Sequence, residues 1–187
     1  MLNANIFYGK LVRLTAEDPE TAGKALSGWE RDTGYVRLLD SEPAHMNSAR
    51  KIQSLIENAL GKDRPDFFYF IIRTLAEDRP IGFLNLFALN WTHGDTWLGI
   101  GLGDREYWGK GYGTDAVRVT LRYAFTELNL RRVTLGVFAY NPRAIKSYEK
   151  VGFIVEGRLR QYIVRDGQRN DMIVMGVLRD EWLQRIS

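Results

Sequence analysis

Cysteine is absent from this chain of 187 residues. That excludes disulfides, thiol nucleophiles and thiolate metal sites, and it suits a cytoplasmic protein. Histidine is nearly absent too: His45 and His93 are the whole supply and lack ligand-like spacing, so no metal site is expected. No apolar run approaches the ~20 residues that a membrane helix needs. The N-terminus shows no basic stretch followed by an apolar one, so no secretion signal is expected. Charge of one sign is also scarce, since 26 basic against 23 acidic side chains leave a net +3. Such an excess suits an anionic cofactor or substrate and gives no basic stripe for DNA or RNA. The remaining composition, 45% hydrophobic and 26% charged, is that of an ordinary globular protein. The length fits one domain over residues 1–187 with a sizeable core.

The hydrophobic pattern lays out the elements. Lys10 to Leu14 reads as a strand, and Thr15 with Asp18 and Pro19 resembles a capping box opening a helix with Ala22, Ala25, Leu26 and Trp29 on its apolar face. A polar, Gly-containing stretch follows. Asn47 or Ser48 then caps a second helix whose stripe is Ile52, Leu55, Ile56, Ala59 and Leu60, with Gly61 as its stop. Phe67 to Leu75, Ile81 to Leu89 and Trp97 to Leu102 read as strands joined by short turns, hence an antiparallel meander. A helix from Gly113 to about Leu128 leads to a strand at Arg132 to Ala139, which such a long crossover makes parallel to Trp97–Leu102. Asn141-Pro142 opens another helix, ending near Val151-Gly152. Phe153–Val164 and Met172–Leu178 flank the hairpin signal Asp166-Gly167. The sum is an α/β chain of α+β type, with a mixed sheet and helices on both faces.

The segment Trp108-Gly109-Lys110-Gly111-Tyr112-Gly113-Thr114 follows a strand and opens a helix. Alternating glycines let the backbone turn sharply and aim N–H groups into one concavity, and the helix adds the positive end of its dipole. That makes a phosphate site, against the plain alternative of a mere corner. A Walker loop is excluded, because five residues rather than four separate Gly103 from Gly109-Lys110, and Gly111 follows the lysine. Gly111 to Ala116 satisfies G-x-G-x-x-A, but a dinucleotide site needs an acid ending the next strand, and none lies between Arg131 and Asn141.

A second segment, Asn141-Pro142-Arg143-Ala144-Ile145-Lys146-Ser147-Tyr148-Glu149-Lys150-Val151-Gly152-Phe153, has the form N-x-x-A-x-x-x-Y-E-K-x-G-F. With the glycine loop and the strand order, it resembles the GNAT superfamily of acetyl-CoA-dependent N-acetyltransferases over nearly the whole chain. It is most similar to the branch holding ribosomal-protein alanine N-acetyltransferases and bacterial small-amine acetyltransferases. The resemblance implies a mixed, mostly antiparallel sheet of about seven strands flanked by about four helices. It implies acetyl-CoA as cosubstrate, no metal, an amine acceptor that is a protein N-terminus or a small molecule, and a possible homodimer. The loop Trp108, Gly109, Lys110, Gly111, Tyr112, Gly113 and Thr114 would hold the pyrophosphate, although the family usually has Gln or Arg where Trp108 stands. Lys110 would add charge or simply face solvent. Leu102 and Gly103 would pair with the pantetheine arm, Asn141 would hold it near the thioester while also capping its helix, and Tyr148 would protonate the departing thiolate. A phenol of pKa ~10 keeps its proton at pH 7 and suits that task.

Two roles stay open. Relatives often carry a carboxylate on the strand before the loop, yet Trp97-Leu98-Gly99-Ile100-Gly101-Leu102 has none. Asp95, Glu106 and Asp171 are the nearest acids, with a water relay as the alternative. Trp29, Tyr35, Trp91, Trp97 and Tyr162 are candidates to line an amine pocket, Tyr35 and Tyr162 by family position. The missing strand acid also leaves room for a non-catalytic acyl-CoA-binding sensor.

Overall fold

The computed structural model describes residues 5–61 and 66–186. Strand β1 (Val12–Thr15) is followed by helices α1 (Pro19–Trp29), α2 (Thr33–Leu39) and α3 (Ala49–Leu60). Strands β2 (Phe68–Thr74), β3 (Pro80–Asn90) and β4 (Asp95–Leu102) come next, then a 3-10 turn (Arg105–Tyr107) and α4 (Tyr112–Thr126). The chain continues through β5 (Arg132–Phe138), α5 (Pro142–Glu149), β6 (Ile154–Arg165), β7 (Gln168–Leu178) and α6 (Arg179–Ile186). The seven strands form one sheet in the order β1-β2-β3-β4-β5-β7-β6. Every pairing is antiparallel except β4 with β5, so the expected meander and the single parallel junction are both present.

Both faces of the sheet are covered, as alternation along β2 makes plain. Ile71 packs with Ala22, Ile52 and Ile56 of α1 and α3, while Ile72 packs with Ala116 and Val119 of α4. The largest core cluster joins Val117, Leu121, Ala124 and Phe125 of α4 to Leu98, Leu135, Val137, Met175 and Phe153. Fewer residues of α3 are buried than its stripe predicts: Ile52 and Ile56 are, whereas Leu55 and Leu60 face solvent.

The caps differ in detail from the expected ones. Thr15 stays in β1, and Asp18 alone caps α1, accepting from Glu20 N and Thr21 N. Ser48 caps α3 by accepting from Lys51 N, and Asn47 instead donates its backbone N–H to Glu30. Six α-helices are present among the described residues rather than four. The polar stretch after α1 is helical because Asp32 accepts from Gly34 N and Tyr35 N, and because Tyr35 and Val36 are buried against the sheet. Thr, Gly, Tyr and Val are weak helix formers, so tertiary packing decides that helix. The C-terminal α6 buries Trp182, whose ring lies 5.4 Å from Phe125. No helix of the described residues is long and apolar enough to cross a membrane.

Edge strand β1 is fastened to α4 by a buried carboxylate. Asp115, in the first turn of α4, accepts from Leu11 N at 2.7 Å and Val12 N at 3.1 Å. Asp115→Ala strands both donors and should lower unfolding stability by about 3 kcal/mol, since hydrogen bonds to a charged acceptor each contribute ~1.5–3. Urea denaturation measures this, and Asp115→Asn, which keeps one acceptor oxygen, should cost less.

Candidate active site

The site begins where the sheet comes apart. β4 and β5 pair only at Asp95–Arg132, Thr96–Val133 and Trp97–Thr134, and then diverge. Backbone groups alternate sides along a strand, and those of Gly99, Gly101 and Gly103 point toward β3. The carbonyl of Leu98, both backbone groups of Ile100 and the N–H of Leu102 therefore face the opening between β4 and β5. Of the two expected arm partners, Leu102 is on the correct side but its carbonyl already accepts from the Trp108 indole at 2.7 Å. The Gly103 N–H donates to Ile81 O at 3.0 Å and so faces β3 rather than the opening. Ile100 was legible from strand parity and was missed.

The glycine loop lies at the end of this opening. Gly109 and Gly111 have φ of +75° and +93°, conformations that L side chains resist. Gly111 is the N-cap of α4 and supplies no side-chain cap, and the first helical bond is Asp115 N to Gly111 O at 2.9 Å. Within the described residues, the N–H groups of Gly109 through Thr114 have no acceptor. Bare amides at the positive end of a 15-residue helix form a cradle for an anion. Lys110 is exposed outside the cavity, and Tyr112 turns inward to meet Tyr107 edge-on at 4.9 Å. Trp108 carries two guanidiniums, with Arg143 3.8 Å and Arg105 5.0 Å from its ring centre.

Helix α5 closes the other side. Asn141 caps it by accepting from Ala144 N at 3.2 Å, and Thr114 and Ser147 hydroxyls, 2.7 Å apart, tie α4 to α5. Arg143 and Lys146 of α5 and Lys150, its C-cap, share one face and line the cavity as a basic stripe. Tyr148 lies on the same wall, its ring 5.9 Å from Phe153 and its hydroxyl without a protein partner among the described residues. Burial pushes this phenol up to about 12, with the nearby Arg143 charge pulling weakly the other way.

The cavity, about 880 Å³, continues through the opening to the face covered by α2. Tyr35, Trp97 and Tyr162 line that far side, as does Met172. Trp29 and Trp91 do not: Trp29 packs beneath Gly103, and Trp91 is exposed in the β3–β4 turn. The three candidate acids are also absent from the lining. Asp171 accepts from Gln161 N and from Arg158, both at 2.8 Å, and these bonds hold it below the usual carboxylate range. Asp95 sits at the far end of β4, paired with Arg132, and Glu106 lies in the 3-10 turn. Asp40, at the end of α2, is the one carboxylate among the described lining residues.

The stretch that carries this anion cradle, split parallel junction and phenol also matches known proteins in sequence. Residues 10–154 match the acetyltransferase (GNAT) domain model. The chain belongs to the GNAT acetyltransferase family. It is 31% identical over 153 residues, 81% of this chain and 82% of the relative, to the SPbeta prophage-derived uncharacterized N-acetyltransferase YokL of Bacillus subtilis. It is 33% identical over 110 residues to a spermidine N(1)-acetyltransferase of Vibrio cholerae, spanning 59% of this chain and 63% of that protein. A crystal structure of a spermidine N-acetyltransferase from Vibrio cholerae, in complex with CoA and spermine, superposes with a TM-score of 0.81. That match covers 92% of this chain and 98% of the other at 23% identity, and it shows the shared fold. This GNAT chain is an acyltransferase that moves acetyl from acetyl-CoA to a primary amine, and the bare amides fit a diphosphate.

If the cradle depends on the positive φ at Gly111, Gly111→Ala strains or displaces it by about 1–2 kcal/mol. Coenzyme A affinity, read by calorimetry, should fall about 5- to 30-fold. Gly157→Ala, at a glycine with open space around it, should leave affinity unchanged.

Proposed function

We propose that the acetyl group is transferred directly, with the thioester entering from the α4–α5 side and the amine from the α2 side of one continuous cavity. Acetyl-CoA supplies the activated acyl group. The N–H groups of Gly109 to Thr114 hold the pyrophosphate, and Arg143, Lys146 and Lys150 add charge for the remaining phosphate. Ile100, the Leu102 N–H and the side chain of Asn141 hold the pantetheine arm, and an Ile100 backbone N–H polarises the acyl carbonyl. The observation that carries the reading is the run of unpaired amides opening α4, set in the same cavity as the Tyr148 phenol.

Tyr148 is assigned to the sulfur. A phenol at about 12 remains protonated at neutral pH. A thiol of pKa ~8.5 is the stronger acid, so outright proton transfer from the phenol to a thiolate is uphill. Tyr148 therefore acts first as a hydrogen-bond donor to charge developing on sulfur; as its proton passes to sulfur, the proton lost by the nitrogen returns through solvent to the phenolate, which restores the phenol. Tyr148→Phe should reduce kcat about 100-fold or more, with coenzyme A affinity changed less than about twofold. An unchanged kcat removes Tyr148 from the reaction, and a wild type that binds coenzyme A but releases no thiol with any amine supports the sensor reading instead.

Asp40 is the one carboxylate among the described lining residues and its Oδ1 already accepts from Glu42 N, so on this reading the amine arrives as its free base. The kcat/KM for amine should then rise about tenfold per pH step until the amine's own pKa, ~8 for an α-amine and ~10 for an alkylamine. Tyr148 works in its protonated form, which is kept below its raised pKa and lost only above about 12, so it adds no falling limb below pH 11. A pH series of initial rates checks both limbs.

A further inference from the structure

We propose that the side-chain oxygen of Asn85 receives the N–H of the incoming amine, in a pocket that selects an amine carried on an apolar, uncharged body. This rests on the acetyl-transfer reading and names the acceptor side of the same site. Asn85 sits on β3 directly opposite Gly99 of β4, lines the cavity, and its Oδ1 is buried with no hydrogen-bond partner among the described residues. A buried acceptor left bare costs about 1–3 kcal/mol, a cost that a bound N–H would remove.

The glycines of β4 give this oxygen its place. A Cβ on Gly99 would stand 2.3 Å from Asn85 Oδ1, and one on Gly101 would stand 2.5 Å from the Tyr35 hydroxyl. Both polar atoms therefore rest against the bare β4 backbone, at positions about 7 Å apart along the strand. Between them is Ile100, whose own backbone groups face the opening. An amine held by Asn85 on one side of β4 is thus next to a carbonyl presented to Ile100. The nitrogen lone pair forms the C–N bond, the C–S bond breaks, sulfur takes one proton and the nitrogen releases one to solvent. A carboxamide oxygen can aim the N–H but cannot take the proton, in keeping with attack by the free base.

The walls decide what the nitrogen is attached to. Leu39, Phe83, Trp97 and Met172 are apolar, and Asp40, the one carboxylate among the described lining residues, already accepts from Glu42 N at 2.9 Å. Arg143, Lys146 and Lys150 make the other end cationic. A polyamine would bring further positive charges into a cavity with little to neutralise them, whereas an arylalkylamine or an apolar peptide N-terminus would bury its body favourably.

The test measures thiol release by wild type, Asn85→Leu and Asn85→Asp with 2-phenylethylamine, an alanine-leading apolar peptide and spermidine. Coenzyme A affinity is measured in parallel as a check on folding. The expected result is a wild-type kcat/KM for phenylethylamine or the peptide about tenfold or more above that for spermidine. Asn85→Leu should raise amine KM about tenfold with coenzyme A affinity held within twofold. Asn85→Asp, which adds a charge, should shift preference toward spermidine, an effect that a merely structural side chain would not produce. Spermidine preferred by the wild type, or amine KM unmoved in both variants, overturns the inference while the transferase reading stands. No thiol release by wild type with any amine overturns the transferase reading, and this inference with it.

Discussion

The early parting of β4 and β5 is the constraint on which the site depends. Parallel strands joined through α4 hold register for only three residue pairs, Asp95–Arg132 to Trp97–Thr134, and beyond them hydrogen-bonding groups are left without a neighbour. Inside a sheet such groups would be costly, since buried amides and carbonyls without partners lose about 1–3 kcal/mol each. Here they border a cavity, where a ligand able to pair as a strand satisfies them. The same split opens a passage through the sheet, so two reactants can meet from opposite faces without sharing an entrance. The glycine loop adds its bare amides at the end of that passage. Anion binding and strand-like pairing thus follow from one departure from regular pairing.

Helix α2 is held across the acceptor side by contacts from several distant segments. Asp32 pairs with Arg105 just ahead of the glycine loop, and that hydrogen bond is the main reason its carboxyl lies below the usual range. The Arg37 carbonyl accepts from the Tyr140 hydroxyl at 2.7 Å, one residue before the α5 cap, and the Arg37 guanidinium pairs with Asp166 of the β6–β7 turn. Arg165 donates to the carbonyls of Asp40 and Glu42. Exposed ion pairs are individually weak, at ~0–1 kcal/mol. Their arrangement counts for more than their strength, because they set α2 against the loop, the α5 start and the last hairpin together.

Much of the fold was legible. Alternation and helical periodicity located the strands and the long helices, and Gly-x-Gly after a strand marked α4 with its cradle. The motif around Asn141 and Tyr148 placed α5 on the opening. The α3 stripe predicts more burial than is found, because a stripe records what a helix could bury, and Leu55 and Leu60 are left about half exposed. Helix α2 was not readable from propensity, since Tyr35 and Val36 are helical through packing. Nor could spacing tell that Trp29 lies under Gly103 while Tyr35 reaches Gly101, or that Asp171 is already committed to Arg158 and Gln161.

By itself the sequence determined the order and type of most elements, the backbone freedom at Gly109 and Gly111, and the lack of thiol or paired-histidine chemistry. Those properties are local: they follow from a residue and its neighbours within a turn or two. Tertiary structure alone decided which amides stay unpaired, how far the Tyr148 phenol is raised, and that Asn85 rather than an acid faces the bare stretch of β4. Each of these depends on burial and on partners more than ten residues away, and the pairing register that brings those partners together is a property of the assembled sheet.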